Sequence, residues 1–441
     1  MQKKIYLHSI GCRTNQEEVA LLRAALTRTG FTVVEEIDAA DIIVLNTCSV
    51  TAHTESKITR LIGSLSRQAP GAKILVTGCM AERRRAEFLK SPNVSWVVGN
   101  GSKETIPAII RDTPGGLFLS DLATTPLPVP PAPEPPGVGG RSRYFLKIQE
   151  GCDRRCAYCI VPFLRGPSRS AAAADIERSL RAALDAGYKE IVLTGTHIGH
   201  YRDADAAGLL PLVERLLGVD GDFRLRLSSL DGEEPSGRFL TLIGEGGKLC
   251  DHLHVSLQSL SEPVLRSMNR PCSGLAALVG RLSSFRERYP TAGLGADFIV
   301  GFPGEAEAQF EETLANAGKI GFSYAHIFRY SSRPGTAAAG MRGLEVPEAE
   351  KQIRADRLRA VIAKSAREFG ALQVGAVRRI ITEGDCAKGI TANYLRVDLP
   401  GISALPNSWL DVIIEESASG GRQFTAHPLH AARNHESAIA G

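Results

Sequence analysis

Short apolar runs alternate with amphipathic stretches along most of the chain, and this pattern limits its fold more than any other feature. In the first 120 residues the runs 4–10, 41–47 and 73–78 each lead into a stretch with helical spacing of apolar residues. Strands that alternate with helices form parallel sheets. The pattern therefore predicts an α/β domain over residues 2–120, built as a doubly wound parallel sheet.

A proline-rich segment ends this first block. Seven prolines fall between Pro126 and Pro136. Such a run favours an extended polyproline conformation over helix or sheet. We therefore predict a linker over residues 121–140, which lets the regions on its two sides close on each other.

The middle of the chain, residues 141–368, repeats the alternation of strands and helices. Six βα-type units predict a partial TIM-like barrel, whose functional face is built by the loops after the strands. The predicted strands are 144–150, 190–195, 223–230, 252–259, 294–302 and 324–331.

The last segment, residues 369–433, has short predicted strands separated by turn residues, which indicates a small β-barrel. The stretch 351–379 just before and within it is basic, and beside a small barrel it is a plausible phosphate-contacting surface. Its eight cationic residues are Lys351, Arg354, Arg357, Arg359, Lys364, Arg367, Arg378 and Arg379.

Three cysteines share one position relative to the predicted strands. Cys12, Cys48 and Cys79 each lie just past the end of one of the first three strands. In an open parallel sheet these ends share one edge, where ligands bind. Three small buried side chains are the alternative, because free cysteine is often buried. Repetition at three strand ends favours a metal or cluster site.

Three further cysteines, Cys152, Cys156 and Cys159, form a C-x3-C-x2-C run after the first predicted barrel strand. Structural zinc requires four protein ligands, and no fourth cysteine or histidine follows at zinc-finger spacing. Three ligands on a [4Fe–4S] cube leave one iron open. A redox pair of Cys156 and Cys159 is the alternative, but Cys152 on the same loop makes it the poorer explanation.

The composition of the chain indicates the cellular compartment in which the protein works. The 441-residue chain has nine cysteines, a net charge of +4 and neither a signal peptide nor an apolar run of membrane-spanning length. We therefore expect a cytoplasmic, reducing location without membrane association, where clustered cysteines serve ligation rather than disulfides. The scattered Cys250, Cys272 and Cys386 are expected to pack in the core.

The motif "GCDRRCAYCIVPFLRGPSRS", with Tyr158 before its last cysteine, resembles the radical S-adenosylmethionine superfamily. Together with "SIGCRTNQEE", "NTCSVT" and "VTGCMAE" it is similar to the methylthiotransferases nearly end to end. The branch acting on threonylcarbamoyladenosine in tRNA is the most similar one. The closing barrel, with "GITANYLRV", resembles the RNA-binding TRAM domain.

The resemblance implies two [4Fe–4S] clusters and S-adenosylmethionine as cofactors. The strand-end cysteines would ligate an auxiliary cluster, and the C-x3-C-x2-C run a radical cluster. Tyr158 would lie against the adenine of S-adenosylmethionine and Gly195 near its amino group, with Arg226 and Ser228 towards its ribose or carboxylate. No side chain is assigned as catalytic, because the cofactors carry the chemistry.

The implied activity is transfer of a methylthio group to C2 of N6-threonylcarbamoyladenosine at position 37, in the anticodon stem-loop of tRNA. A radical route suits an unactivated aromatic C–H bond, because acid–base catalysis cannot deprotonate such a bond at neutral pH. An electron donor such as flavodoxin or ferredoxin and a monomeric state are expected. The alternatives are isopentenyladenosine in tRNA, an aspartate of a ribosomal protein, a radical enzyme with a single cluster, and a non-catalytic zinc protein that binds RNA.

Several single residues stand out beside these motifs. Leu260 and Arg329 depart from the family pattern, where glycine and proline are usual; we expect Leu260 to enter a loop on the cofactor side. His197 is either a cofactor or nucleotide contact or a turn residue. Asp297 and Glu305 are expected to cap the next helix rather than hold the ribose. We expect Tyr394 to fill the small barrel rather than stack on a base.

Overall fold

The computed structural model describes residues 2–10, 13–48, 52–91, 93–125, 142–384, 387–402, 405–415 and 423–429, together with 127, 133, 135 and 136. Cys12, Cys386 and most of the predicted linker lie outside these residues. The described helices contain none with the length and apolar character needed to cross a membrane.

The N-terminal domain is a parallel sheet covered by helices. Its strands are β1 (Lys4–Ser9), β2 (Thr32–Val34), β3 (Ile42–Thr47), β4 (Lys73–Gly78), β5 (Val94–Val98) and β6 (Gly116–Phe118). Its helices are α1 (Arg13–Arg28), α2 (Ala52–Gln68), α3 (Cys79–Arg83), α4 (Arg85–Phe88) and α5 (Ile106–Asp112), with a 3-10 turn at Asn100–Thr105. The strand order is β2-β1-β3-β4-β5-β6.

Strand β3 shows why this sheet is covered on both faces. All six of its residues are buried. Ile43 and Leu45 pack into one apolar cluster, whereas Ile42 and Val44 pack into another. Successive strand residues point to opposite faces, so each face has its own core. The predicted doubly wound sheet is confirmed.

The central region forms an open barrel from two sheets. Its strands are β7 (Tyr144–Glu150), β8 (Arg169–Ser170), β9 (Glu190–Gly195), β10 (Arg224–Leu227), β11 (Leu230–Asp231), β12 (His252–Gln258), β13 (Gly293–Val300) and β14 (Tyr324–Arg329). The sheets are ordered β10-β9-β7-β8 and β11-β12-β13-β14. The predicted third strand is thus divided at Ser228 and Ser229.

Helices surround this barrel. They are α6 (Val161–Arg165), α7 (Ala173–Asp185), α8 (Leu209–Leu217), α9 (Gly237–Glu245), α10 (Glu262–Ser267), α11 (Leu275–Arg288), α12 (Glu307–Ile320) and α13 (Glu348–Ala371), with 3-10 turns at Ile198–His200 and Ala337–Gly340. The predicted domain boundary after residue 368 falls inside α13.

The C-terminal strands form a closed barrel in the order β15-β16-β17-β19-β18, as predicted. They are β15 (Val377–Thr382), β16 (Lys388–Thr391), β17 (Arg396–Asp398), β18 (Trp409–Ile414) and β19 (Gln423–Pro428). Tyr394 packs with Tyr324 and Ile390 where this barrel meets the central one, which agrees with a packing role.

The basic stretch 351–379 is largely neutralised within the protein. Arg354 is buried and pairs with Glu305 at 2.9 Å. Arg357 pairs with Glu307 and Glu311, Arg359 with Asp356, and Arg379 with Asp222. Burial excludes Arg354 from the expected phosphate-contacting surface. The side chains of Arg357, Arg359 and Arg379 are exposed, so for them the expectation stays a prediction.

Candidate cluster and cofactor site

The loop with the three-cysteine run leaves the end of β7 and is anchored on both sides. Cys152 N donates a hydrogen bond to Gly166 O at 3.1 Å. Ala157 N donates to Met268 O at 2.8 Å, and Ala157 O accepts one from Ala338 N at 2.8 Å. These backbone bonds fix the loop at its start and in its middle.

The three thiols lie in surroundings that suit a cationic centre. Cys156 is buried, and Cys152 and Cys159 are half-buried. Burial raises the pKa of Cys156 and raises that of Cys159 to about 12, because it disfavours the thiolate. A bound metal stabilises thiolates, and three thiols on one loop match the donor set of an iron–sulfur cluster with one open iron.

A cavity of about 420 Å³ opens beside this loop. Its size lies within the usual range for small-molecule sites. Tyr158, Gly195 and Ser228 line it, together with the three cysteines. At Gly195 a Cβ atom would lie 2.6 Å from Gln149 O, so only glycine allows the two strands to approach this closely.

Arg226 is the exception among the predicted cofactor residues. It is fully buried and is not among the residues that line the cavity. Its guanidinium group binds Glu190 at 2.7 Å and donates to Thr391 O and Ala392 O at 2.9 Å. Because these contacts occupy it, the expected contact with the ribose or carboxylate is not one that this structure provides. Arg226 instead joins the central barrel to the C-terminal one.

Arg270 is a cavity residue that the sequence did not indicate. Its side chain is 8% exposed and pairs with Asp231 at 2.6 Å. It donates to Ser256 O at 2.6 Å and to the Tyr158 hydroxyl at 3.3 Å, and lies 3.9 Å from Cys156 Sγ. It follows Met268, which binds the cysteine loop, so the motif "MNRPCS" was the available signal.

His197 connects the cysteine loop to an acidic pair. Its Nδ1 lies 3.7 Å from Cys152 Sγ, and its Nε2 lies 2.5 Å from Glu234 and 3.3 Å from Asp231. Burial alone would lower the pKa of His197, but the hydrogen bonds to Cys152 and Glu234 and the nearby negative charges raise it to about 9. His197 therefore contacts the cluster loop rather than serving as a simple turn residue.

The opposite wall of the cavity is polar. His254 Nε2 lies 3.1 Å from Asp297 Oδ1, and His254 Nδ1 lies 3.0 Å from the Tyr324 hydroxyl. The His326 ring is 5.5 Å from the His254 ring. Gln258 at the end of β12 has a φ of 66°, a strained conformation for a residue with a Cβ.

Three single-residue expectations need correction. Asp297 lines the cavity instead of capping a helix. Leu260 is fully buried in the central core, so it does not project into the cofactor side of its loop. Glu305 accepts a hydrogen bond from Gly301 N at 2.6 Å and pairs with Arg354, which braces the turn after β13. Arg329 pairs with Glu348 at 2.8 Å.

The second cysteine set begins with two buried neighbours. Thr47 and Gly78 are partners in the register of β3 and β4, so Cys48 and Cys79 follow at adjacent strand ends. Gly78 has a φ of 96°, and a Cβ there would lie 2.2 Å from Thr47 O. The expected convergence therefore holds for Cys48 and Cys79, whereas Cys12 lies outside the described residues.

Buried polar atoms at this edge also indicate a ligand. The strand order changes direction between β1 and β3, and ligands bind at such switch points. Four side-chain oxygens here have no hydrogen-bond partner among the described residues: Ser9 Oγ, Asn46 Oδ1, Thr77 Oγ1 and Asn100 Oδ1. Buried polar groups are normally paired, so this edge fits a bound polar or metal-containing group.

The two cysteine sets meet at α6. Cys79 packs against Ile160 and Leu164, which lie one and five positions after Cys159 in the chain. Asn100 Nδ2 donates to Leu164 O at 2.7 Å and lies 4.0 Å from Cys79 Sγ. Residues about eighty positions apart in sequence therefore border the same small volume.

Comparison with known proteins agrees with this arrangement. Residues 4–99 match Uncharacterized protein family UPF0004, and residues 146–317 match the Radical SAM superfamily. A Threonylcarbamoyladenosine tRNA methylthiotransferase MtaB of Thermotoga maritima is 34% identical, with 89% of each chain covered. The MtaB protein of Bacillus subtilis is 33% identical over 90% of each chain. The chain belongs to the radical S-adenosylmethionine methylthiotransferase family.

The match to the Radical SAM superfamily brings S-adenosylmethionine and a [4Fe–4S] cluster as cofactors. A tRNA-2-methylthio-N(6)-dimethylallyladenosine synthase of Methylococcus capsulatus is 31% identical, with 95% of this chain and 94% of that one covered. Among solved structures, the radical S-adenosylmethionine methyltransferase TsrM of Kitasatospora setae has a TM-score of 0.54 at 15% identity, over 77% of each chain. That likeness concerns the fold alone.

Proposed function

We propose that this methylthiotransferase transfers a methylthio group to C2 of N6-threonylcarbamoyladenosine at position 37 of tRNA. One observation carries the proposal: Cys79 of the first cysteine set packs against α6, the helix that directly follows Cys159 of the second. Methylthio transfer requires a radical site and a sulfur-donating site next to each other, and this contact supplies that proximity.

The residues of the chain have two tasks in this proposal: some hold the clusters and others orient S-adenosylmethionine. Cys12, Cys48 and Cys79 would hold an auxiliary [4Fe–4S] cluster, opposite the cluster on the C-x3-C-x2-C loop. When bound, the clusters and S-adenosylmethionine supply the radical, the methyl group and the sulfur for the reaction. Tyr158, Gly195, Ser228 and Arg270 border the space for S-adenosylmethionine.

The polar wall of the cavity supports a threonylcarbamoyl substrate. This group carries a carboxylate, a hydroxyl and an N–H, which can bond to the cavity residues His326 and Gln258. A dimethylallyl group is a hydrocarbon and offers this polar wall neither a hydrogen-bond donor nor an acceptor. The dimethylallyladenosine synthases among the relatives make that nucleoside the second candidate, and an aspartate of a ribosomal protein is the third.

The remaining parts of the proposal concern partners. The small C-terminal barrel is the expected contact for the anticodon stem-loop, because small barrels of this size commonly bind oligonucleotides. We expect a flavodoxin or ferredoxin as reductant, a monomeric enzyme and action in the cytoplasm, where tRNA is modified.

Nucleoside mass spectrometry of tRNA tests the substrate. A strain lacking the gene should lose 2-methylthio-N6-threonylcarbamoyladenosine and retain the unmethylthiolated nucleoside, and the gene on a plasmid should restore it. Loss of the dimethylallyl derivative instead would select the second candidate. Unchanged tRNA nucleosides would contradict both and point to the ribosomal protein.

The variant His326→Phe tests the role of the polar wall. It should raise KM for threonylcarbamoyl-containing tRNA by roughly 10–100-fold, the value of one or two hydrogen bonds to a charged group. The rate of S-adenosylmethionine cleavage without tRNA should stay unchanged. The control is Arg238→Ala, an exposed residue of α9 in the central region that does not line the cavity. An unchanged KM would remove the support that this wall gives to the substrate assignment.

A further inference from the structure

Helix α6 lies between the two cysteine sets and ends at Arg165. Its first residue, Val161, is two positions after Cys159, and its Leu164 packs against Cys79. Arg165 is only 4% exposed at its side chain, so its guanidinium group is enclosed where the two domains meet. A buried arginine at this place can hold both domains at once.

The guanidinium group of Arg165 contacts both domains directly. Its Nη1 donates to Glu150 Oε1 at 2.6 Å, at the end of β7 in the central barrel. The same nitrogen donates to Glu18 Oε1 at 2.9 Å, and Nη2 reaches Asn15 Oδ1 at 3.5 Å. Glu18 and Asn15 belong to α1 of the N-terminal domain.

From α1 the hydrogen bonds continue to the strand that precedes Cys48. Asn46 Nδ2 donates to Glu18 Oε2 and to Asn15 O, both at 3.0 Å. Asn15 Nδ2 donates to Thr47 O at 2.9 Å. Asn46 and Thr47 are the last two residues of β3, directly before Cys48. One connected set of buried hydrogen bonds therefore runs from the helix after Cys159 to the strand end before Cys48.

Two lysines complete the charges of this interface. Lys103 pairs with Glu18, and Lys147 pairs with Glu150 at 3.3 Å. All four partners of these pairs have side chains less than 20% exposed. Removing one charge from such a set leaves another buried and uncompensated, which is strongly unfavourable. Moving one domain against the other would break the buried contact of Arg165 with Glu18, which favours the arrangement seen here.

We propose that Arg165 is a positioning residue that fixes the two cysteine sets relative to each other and thereby couples radical formation to methylthio transfer. This inference rests on the proposed function and adds a residue to it. Arg165 does not line the cavity beside the cysteine loop. It acts through Glu18, Asn15 and Glu150, and its planar fork allows it to contact all three.

The variant Arg165→Lys tests the positioning role. Lysine keeps the charge but lacks the fork that bridges Glu18 and Glu150. Hydrogen–deuterium exchange on the cluster-loaded full chain, under anaerobic conditions, should become faster in α1 and α6 and stay unchanged in α13. The control is Arg286→Lys, a half-buried arginine that donates to Gly321 O and Ser323 Oγ away from the interface.

The coupling role is measured by products. Arg165→Lys should raise the ratio of 5′-deoxyadenosine to methylthiolated nucleoside by roughly 10–100-fold, as expected for a small misplacement of reacting groups. Arg286→Lys should leave this ratio at the wild-type value. Both variants are compared at equal iron content per chain.

Three outcomes would overturn the proposal. An unchanged product ratio with faster exchange would make Arg165 purely structural. Unchanged exchange would show that Arg165 does not hold the interface. Loss of iron from Arg165→Lys would assign the residue to cluster assembly instead. If the wild-type chain makes no methylthiolated tRNA, the proposed function fails, whereas the exchange measurement still decides whether Arg165 holds the domains.

Discussion

The two cysteine sets border the same α6 region, but different kinds of structure bring their cysteines together. Cys152, Cys156 and Cys159 lie on one loop of eight residues, and hydrogen bonds within and beneath that loop fix them. Cys48 and Cys79 come from two strands whose register places their ends side by side. The first site depends on local backbone, whereas the second depends on how a whole sheet is assembled.

The two sites should therefore be sensitive to different substitutions. A change in the loop of the first site should leave the sheet intact, and a change at a strand end of the second should leave the loop intact. The contact between Cys79 and Leu164 connects the two sites. Single substitutions can therefore separate the sites or disturb their connection.

The largest expected effects come from the cysteines themselves. Cys156→Ala should abolish both S-adenosylmethionine cleavage and methylthio transfer, because the radical cluster loses a ligand. Cys48→Ala should abolish methylthio transfer but retain 5′-deoxyadenosine formation, because only the auxiliary site is changed. Liquid chromatography with mass spectrometry measures both products. Cys250→Ala, a buried cysteine remote from both sets, is the control; loss of radical cleavage in Cys48→Ala would contradict the separation.

Arg270→Ala should act on the radical site alone. It removes the bonds to Asp231 and Ser256 O and the support of Tyr158, so S-adenosylmethionine cleavage should slow by roughly 100-fold, equivalent to two lost charged hydrogen bonds. The iron content should not change. Arg238→Ala, whose side chain is 76% exposed, is the control. A normal cleavage rate in Arg270→Ala would show that this arginine only packs.

Gly78→Ala should act on the auxiliary site alone. The added Cβ would meet Thr47 O at 2.2 Å, and the positive φ by itself costs roughly 1–3 kcal/mol. We expect a lower Tm and a partial loss of iron, with radical cleavage preserved. Gly71→Ala has no atom within 4 Å of its new Cβ and should behave as wild type. Equal iron content in both variants would mean that the strand end tolerates displacement.

A smaller effect of pH is expected at the interface between the sites. Burial alone would raise the pKa of Glu18, but the charges of Arg165, Lys103 and Lys147 outweigh it and hold that pKa far below the usual 4.5. A lowered carboxyl pKa contributes stability above the unfolded value, and this contribution is lost as the pH falls.

The comparison of wild type with Glu18→Gln measures this contribution. The difference between their urea midpoints, followed by tryptophan fluorescence on metal-free chains, should be constant above about pH 5 and narrow as the pH falls from about 5 to about 3. Glu312→Gln, at an exposed position, should show no such narrowing. A difference that is constant with pH would contradict the charged state of Glu18.

The sequence predicted β1, β3 and β4 of the N-terminal sheet and the main parallel strands of the barrel, because apolar runs mark strands that are buried on both faces. The shorter strands β2, β5, β6 and β8 were not predicted. The predicted strand ends then placed Cys48 and Cys79 at the same edge of the sheet. The three-cysteine loop could be recognised because its cysteines lie close together in the sequence. The division of the third barrel strand at Ser228 was not predicted, since "FRLRLSSL" has no turn residue strong enough to mark it.

The contacts of long polar side chains could not be predicted from the sequence. Arg226 and Arg270 both lie near strand ends or loops of the barrel, yet one binds Glu190 and the C-terminal barrel and the other lines the cavity. The choice depends on which carboxylate or carbonyl lies within reach, which tertiary packing decides. The same reason hid the partnership of Glu18 and Arg165, which are 147 positions apart.

Iron and sulfide analysis of anaerobically prepared protein, combined with electron paramagnetic resonance, tests the central claim most directly. Two cubes predict about eight irons and eight sulfides per chain, falling to about four in either Cys48→Ala or Cys156→Ala. Two reduced clusters beside α6 should also broaden each other's signals in the wild type, and each single variant should give one unbroadened signal. About four irons in the wild type, or the same count in Cys48→Ala as in wild type, would contradict the claim that both cysteine sets hold clusters that face each other.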